Sequence, residues 1–221
     1  MERLTFSKTD AGFLLQDFPD AVKVIVVDRK DAKRLADLSL HKADLKFADK
    51  CLDAINQAPV EPFIMREALW RSAVIHYLKC FGNDARFQLV PKKIYKGESP
   101  EALEAFNYFK ILRNSHLVHD ENSYAQSIPG AVLNSGNKNY KIEKIVCFTA
   151  IALTLEQGNY GNLKLLIQNA MTWVTSEFDT LSKRITAVLE KENYDKLLAK
   201  DAITYQKPTI KNIPFTRKPR N

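Results

Sequence analysis

Between residues 31 and 58, Leu35, Leu38, Leu45, Ala48, Leu52 and Ile55 recur at threes, fours and sevens without an intervening Gly or Pro. That spacing predicts an amphipathic helix. Pro62 stands where the next helix opens, and residues 63–81 run unbroken to Gly82 with Leu69, Trp70, Ala73, Val74, Tyr77, Leu78 and Phe81 on a wide apolar face, as a central core helix requires. Residues 82–98, with Pro91 and several lysines, read as a loop. Ser99-Pro100-Glu101 then supplies an N-cap, a proline at the first helical position and an early acid for a third helix, through Ala102, Ala105, Phe106, Phe109 and Leu112 to about His119. Residues 130–134 and 144–149 predict two strands about a Ser135-Gly136-Asn137 turn. After Gly158 and Gly161, residues 162–191 predict a fourth long helix through Leu165, Ile167, Ala170, Trp173, Val174, Phe178, Leu181, Ile185, Val188 and Leu189, with residues 194–199 as its extension. Near the start, Phe13-Leu14-Leu15 and Val24 to Val27 are candidates for short strands. The expectation is a mainly α fold: an N-terminal segment over residues 1–30, a helical bundle over 31–200 with a small β-hairpin insertion, and an extended tail over 201–221.

Composition changes this picture little. The 221 residues are 45% hydrophobic and 27% charged, which excludes a wholly disordered chain. The most apolar stretch, residues 146–155, is too short to span a bilayer. Residues 1–10 lack the order of a secretory signal, so a cytoplasmic location is expected. Cys51, Cys80 and Cys147 lie far apart among apolar neighbours and read as reduced core thiols. Of the net charge of +7, five positives fall at Lys207, Lys211, Arg217, Lys218 and Arg220, where there are no acids, so residues 1–206 carry only +2. The tail, broken by Pro208, Pro214 and Pro219, is therefore the basic element, suited to phosphates or merely to solubility.

Candidate chemistry concentrates in residues 112–122, Leu-Arg-Asn-Ser-His-Leu-Val-His-Asp-Glu-Asn. A fixed cation, an amide, two of the chain's four imidazoles and two carboxylates fall within eleven residues. His116 and His119, at i and i+3, are one pair, short of the three protein ligands of a catalytic zinc; neither a metal nor a cofactor is expected. No Gly-x-Ser-x-Gly elbow and no Gly-rich phosphate loop occur. Metal-free RNA cleavage needs a base for the ribose 2′-hydroxyl, an acid for the leaving 5′-oxygen and a cation facing the phosphorane. Arg113 and His119, or His116, are the right kinds of group. A helix C-terminus with Asp120 and Glu121 beside it favours the imidazolium, so an acid or base working near neutrality is expected.

Arg113-Asn114-x-x-x-x-His119 resembles the Arg-x4-6-His signature, often with Asn after the Arg, of the HEPN superfamily (higher eukaryotes and prokaryotes nucleotide-binding domains). Ala68-Leu-Trp-Arg-Ser-Ala73, Lys79-Cys-Phe-Gly82 and Leu112 to His119 are similar to bacterial HEPN-like proteins, so the resemblance covers residues 61–125. It implies a helical bundle that dimerises and a metal-independent endoribonuclease of bacterial defence or stress. Two protomers' motifs would then share one cleft, and a cognate antitoxin or defence partner would accompany the enzyme. On that resemblance Arg113 stabilises the phosphorane, His119 moves protons and Asn114 positions one or both, while His116 orients His119, binds RNA or simply packs. A second match, Arg71 to His76, lies in the most apolar helix. There His76 reads as a hydrogen-bonded core residue and Arg71 as a candidate second phosphate contact. Trp70 and Trp173 read as core. The other reading is a non-catalytic module of the same fold that binds a nucleotide or a protein.

Overall fold

A computed structural model describes residues 6–9, 12–15, 17–60, 63–83, 85–119, 123–204 and 209–212, with side chains from residue 17 onward. It is mainly helical. The elements are β1 (Phe6–Thr9), β2 (Gly12–Leu15), α1 (Lys30–Gln57), α2 (Ile64–Lys79), α3 (Pro91–Ile94), α4 (Pro100–Leu112), a π-helix (Arg113–Val118), β3 (Ala125–Leu133), β4 (Ile142–Ile151), α5 (Gln157–Leu189), α6 (Tyr194–Ala199) and a 3-10 turn (Ile210–Asn212). Two compact units share this chain: one of residues 1–43, 82–89 and 171–221, the other of residues 44–81 and 90–170.

The unit of residues 44–81 and 90–170 carries most of the predicted core. Leu45, Ala48, Leu52 and Ile55 of α1 and Trp70, Ala73, Val74, Tyr77 and Leu78 of α2 are buried, with Phe106, Phe109 and Leu112 of α4 and Leu163, Leu166 and Ile167 of α5. Apolar burial at these positions is the main stabilising term. Polar groups inside are paired. Trp70 Nε1 donates to Thr154 Oγ1 at 2.9 Å, and the Tyr77 and Tyr95 hydroxyls lie 2.6 Å apart, with Tyr95 donating onward to the Leu166 carbonyl at 3.2 Å. Burial pushes both phenols up, so both remain protonated donors.

In the other unit, three α1 side chains grip the backbone of Phe87. Arg34 Nη1 and His41 Nε2 donate to its carbonyl, each at 2.9 Å, and Asp37 Oδ2 accepts its N–H at 3.2 Å. These are polar residues on a helix face that periodicity alone assigns to apolar ones; they satisfy a loop that must cross the helix. Lys23 donates to the carbonyls of Leu198 and Lys200, beside a single bridge between Ile25 and Ala202.

Several expectations shift. Residues 82–98 are not all loop: Pro91 opens the one-turn helix α3, and Leu89, Ile94 and Tyr95 are buried. Ser99 and Pro100 take their predicted places, but Ser99 makes no side-chain bond to the helix backbone; its hydrogen bond with Glu101 holds that carboxyl below its ordinary value. Gly158 and Gly161 lie inside α5, whose first turns tolerate them, and α6 is separate, capped by Asn193 Oδ1 accepting from Asp195 N and Lys196 N. The pair β1–β2 adds a strand over residues 6–9 that the apolar pattern missed. Trp173 is half-buried and Cys147 is exposed, the latter on a strand whose residues are all exposed but half-buried Val146. Pro62 and most of the basic tail lie outside the described residues.

Candidate functional site

The α-helical pattern of α4 stops at Leu112, and residues 113–118 continue as a π-helix. It closes with His119 N donating to the Asn114 carbonyl at 3.2 Å, a bond from residue i+5 rather than i+4. His119 itself is extended, with φ −123° and ψ 154°. The signature's spacing therefore coincides with a change of helical register, a feature common where helices carry function. The π-helix continues directly from α4 and lies against α2.

Its side chains divide into held and unheld groups. Arg113 is half-buried, and its Nη1 donates to Asn114 Oδ1 at 2.8 Å. This fixes the guanidinium and leaves most of its donors available. Arg113 Nε is buried and finds no partner among the described residues; neither does either ring nitrogen of His116. The His116 ring packs edge-on against Tyr124, with centroids 5.3 Å apart. His119 is exposed. Asp120 and Glu121 lie outside the described residues.

Arg71 is committed elsewhere, its Nε donating to Glu67 Oε1 at 2.6 Å across one turn of α2. His76 is half-buried, its Nδ1 3.1 Å from Asp44 Oδ1, which Lys79 also reaches at 3.1 Å, and its ring lies 4.4 Å from that of Phe47. The sequence could not reveal that pairing, because Asp44 is 32 residues away on another helix. Among the described residues, no three His, Cys, Asp or Glu side chains converge as metal ligands would.

A cleft of about 710 Å³ lies apart from the signature, within the unit of residues 1–43, 82–89 and 171–221. Arg29, Arg34 and Arg184 line it with Asp31, Phe87 and Glu177, and Arg29 and Arg184 both close on Asp31, at 3.0 and 3.6 Å. The hydrogen bond from Arg29 holds the Asp31 carboxyl below its ordinary value.

Comparison with known proteins finds no match: no family model, no curated protein and no solved structure is similar to this chain. Among the described residues, no helix is long and apolar enough to cross a membrane.

Proposed function

We propose that this chain is a HEPN-like, metal-independent endoribonuclease of bacterial defence or stress, acting as a homodimer on RNA. The observation that carries the reading is the Arg113–Asn114 hydrogen bond at the head of a π-helix that ends on exposed His119. A guanidinium held by a neutral amide keeps its full charge for a phosphate, which a carboxylate partner would neutralise. The unpartnered Arg113 Nε and His116 nitrogens add polar capacity that a bound nucleotide can satisfy.

In the reaction, a neutral imidazole removes the proton of the ribose 2′-hydroxyl as that oxygen attacks the adjacent phosphorus. Arg113 stabilises the extra charge on the phosphorane. The bond to the 5′-oxygen then breaks, and that oxygen takes a proton from an imidazolium, leaving a 2′,3′-cyclic phosphate and a 5′-hydroxyl. One His119 serves one of these proton transfers; His119 of a second copy supplies the other. Asn114 positions Arg113.

The test is cleavage of mixed cellular RNA by purified protein in excess EDTA, beside Arg113→Ala and His119→Ala prepared identically. The expected result is cleavage to cyclic-phosphate ends, reduced about 10²-fold or more in each variant. Equal activity in all three proteins identifies a contaminant and removes the site. If no preparation cleaves, while the protein still retains RNA or a nucleotide on a filter, the non-catalytic module replaces the enzyme.

A further inference from the structure

The cleft of about 710 Å³ lies within one compact unit, between side chains that two helices set out at helical spacing. Lys30 and Arg34 stand one turn apart on α1, and Glu177, Leu181 and Arg184 follow at i, i+4 and i+7 on α5, so each set shares one side of its helix. Leu181 is buried and Phe87 is half-buried, with the Phe87 backbone fixed by Arg34, Asp37 and His41. Charged and apolar groups thus meet in a volume ordinary for a small-molecule site.

In this lining the four cations Arg29, Lys30, Arg34 and Arg184 meet two carboxylates, Asp31 and Glu177. They are unequally answered. Arg29 takes both oxygens of Asp31, with Nε 3.0 Å from Oδ1 and Nη2 3.3 Å from Oδ2, and Oδ1 also accepts from Ala32 N at 3.1 Å. Arg184 reaches the same carboxylate only at 3.6 Å, beyond hydrogen-bond length, and its side chain is 60% exposed. Arg34 gives Nη1 to a neutral carbonyl. Burial works against its charge, and Glu177 supports that charge through the field alone, with no hydrogen bond between them among the described residues. Exposed Lys30 has no ion pair among the described residues. Two positive charges are left over, and the open donors belong to Arg184, Arg34 and Lys30.

That surplus calls for a ligand with two negative charges, and guanidinium donors suit the several oxygens of a phosphate group. A phosphodiester carries a single charge, which a small phosphate monoester doubles. A bare anion would leave Phe87 and Leu181 uncovered. We infer that the cleft binds a small phosphate monoester, its dianionic phosphate set among Arg184, Arg34 and Lys30 and its organic group on Phe87 and Leu181. Asp31 keeps Arg29 occupied, and Glu177 limits the surplus to two charges. No residue of the Arg113–His119 signature lines the cleft, so the inference needs no ribonuclease activity.

The experiment is calorimetric titration of the full chain with phenyl phosphate, inorganic phosphate and benzoate at about pH 7.5 in about 0.15 M salt, where a phosphate monoester is a dianion and surface charges are screened. Wild type is expected to bind one phenyl phosphate per chain with a dissociation constant below about 1 mM. Inorganic phosphate lacks the ring and benzoate lacks the second charge, so each is expected to bind at least about tenfold more weakly. Arg184→Ala, at an exposed position, should weaken phenyl phosphate about tenfold. Lys183→Ala removes an equal charge from the adjacent exposed residue outside the cleft and should change it less than about twofold. Glu177→Gln should tighten it about threefold, an outcome that damage to the fold does not produce. No saturable binding up to about 10 mM, equal losses in Arg184→Ala and Lys183→Ala, or weaker binding in Glu177→Gln would each overturn the inference. Inorganic phosphate bound as tightly as phenyl phosphate would overturn the assignment to a monoester. Heat reads binding directly, so none of these outcomes bears on whether RNA is cut, which the EDTA assay decides separately.

Discussion

At the scale of single residues, ionisable groups matter chiefly through the partner each one has. Arg113 is answered by an amide and Arg71 by a carboxylate, so two arginines in similar sequence matches have different free charge. That difference was legible only in part: Asn114 is adjacent to Arg113, while Glu67 precedes Arg71 by one helical turn. His41 shows what the sequence concealed, since its carbonyl partner at Phe87 is 46 residues away. Burial holds its imidazole below the ordinary 6.5, although the Phe87 carbonyl opposes this. The folded chain thus binds fewer protons at His41 than the unfolded chain once pH falls below 6.5. Its contribution to stability is complete above that value and is lost as pH falls through and below it. Urea midpoints should therefore decline from pH 7.5 to 5.5 in wild type and decline less in His41→Gln, which keeps a donor for the carbonyl; parallel declines would remove His41 as the source.

At the scale of elements, α1, α2 and α4 lie where periodicity put them, because the apolar stripe that identifies a helix is the one it buries. The π-helix was not visible that way. Whether residues 113–118 bond to i+4 or i+5 depends on a one-residue difference that no local propensity encodes, in a segment that lies against α2. The proposed site depends on this register. Deleting Ser115 should let the helix continue as α, with helical content by circular dichroism and thermal midpoint nearly unchanged. RNA cleavage should nevertheless fall about 10²-fold, because His119 moves relative to Arg113. A deletion variant that cuts RNA as wild type does would show that the register is incidental.

At the scale of the whole molecule, the packed core draws on some parts of the chain and not on others. Phe109 is fully buried against Trp70, their rings 6.0 Å apart, whereas no side chain of β3 or β4 is buried in the core. Phe109→Ala should cost about 3–5 kcal/mol of unfolding free energy. Cys147→Pro should leave the unfolding free energy within about 0.5 kcal/mol of wild type, since it lies outside the packed core. Denaturant unfolding at submicromolar concentration checks both. A large loss in Cys147→Pro would mean that the hairpin supports the body and is not a free arm.

The sequence by itself determined the helical class, the positions of the main helices, most of the buried positions and the clustering of candidate chemistry at residues 113–119. Each is written in spacings of a few residues, over which chain geometry is nearly invariant. Only the tertiary structure decided which polar groups are answered and which are open, where the helix changes register, and that the two-faced apolar strands lie outside the core. Those outcomes depend on contacts between residues distant in the chain, as between Trp70 and Thr154 or His41 and Phe87. An apolar run reads the same whether the body of its own chain covers it or it lies exposed.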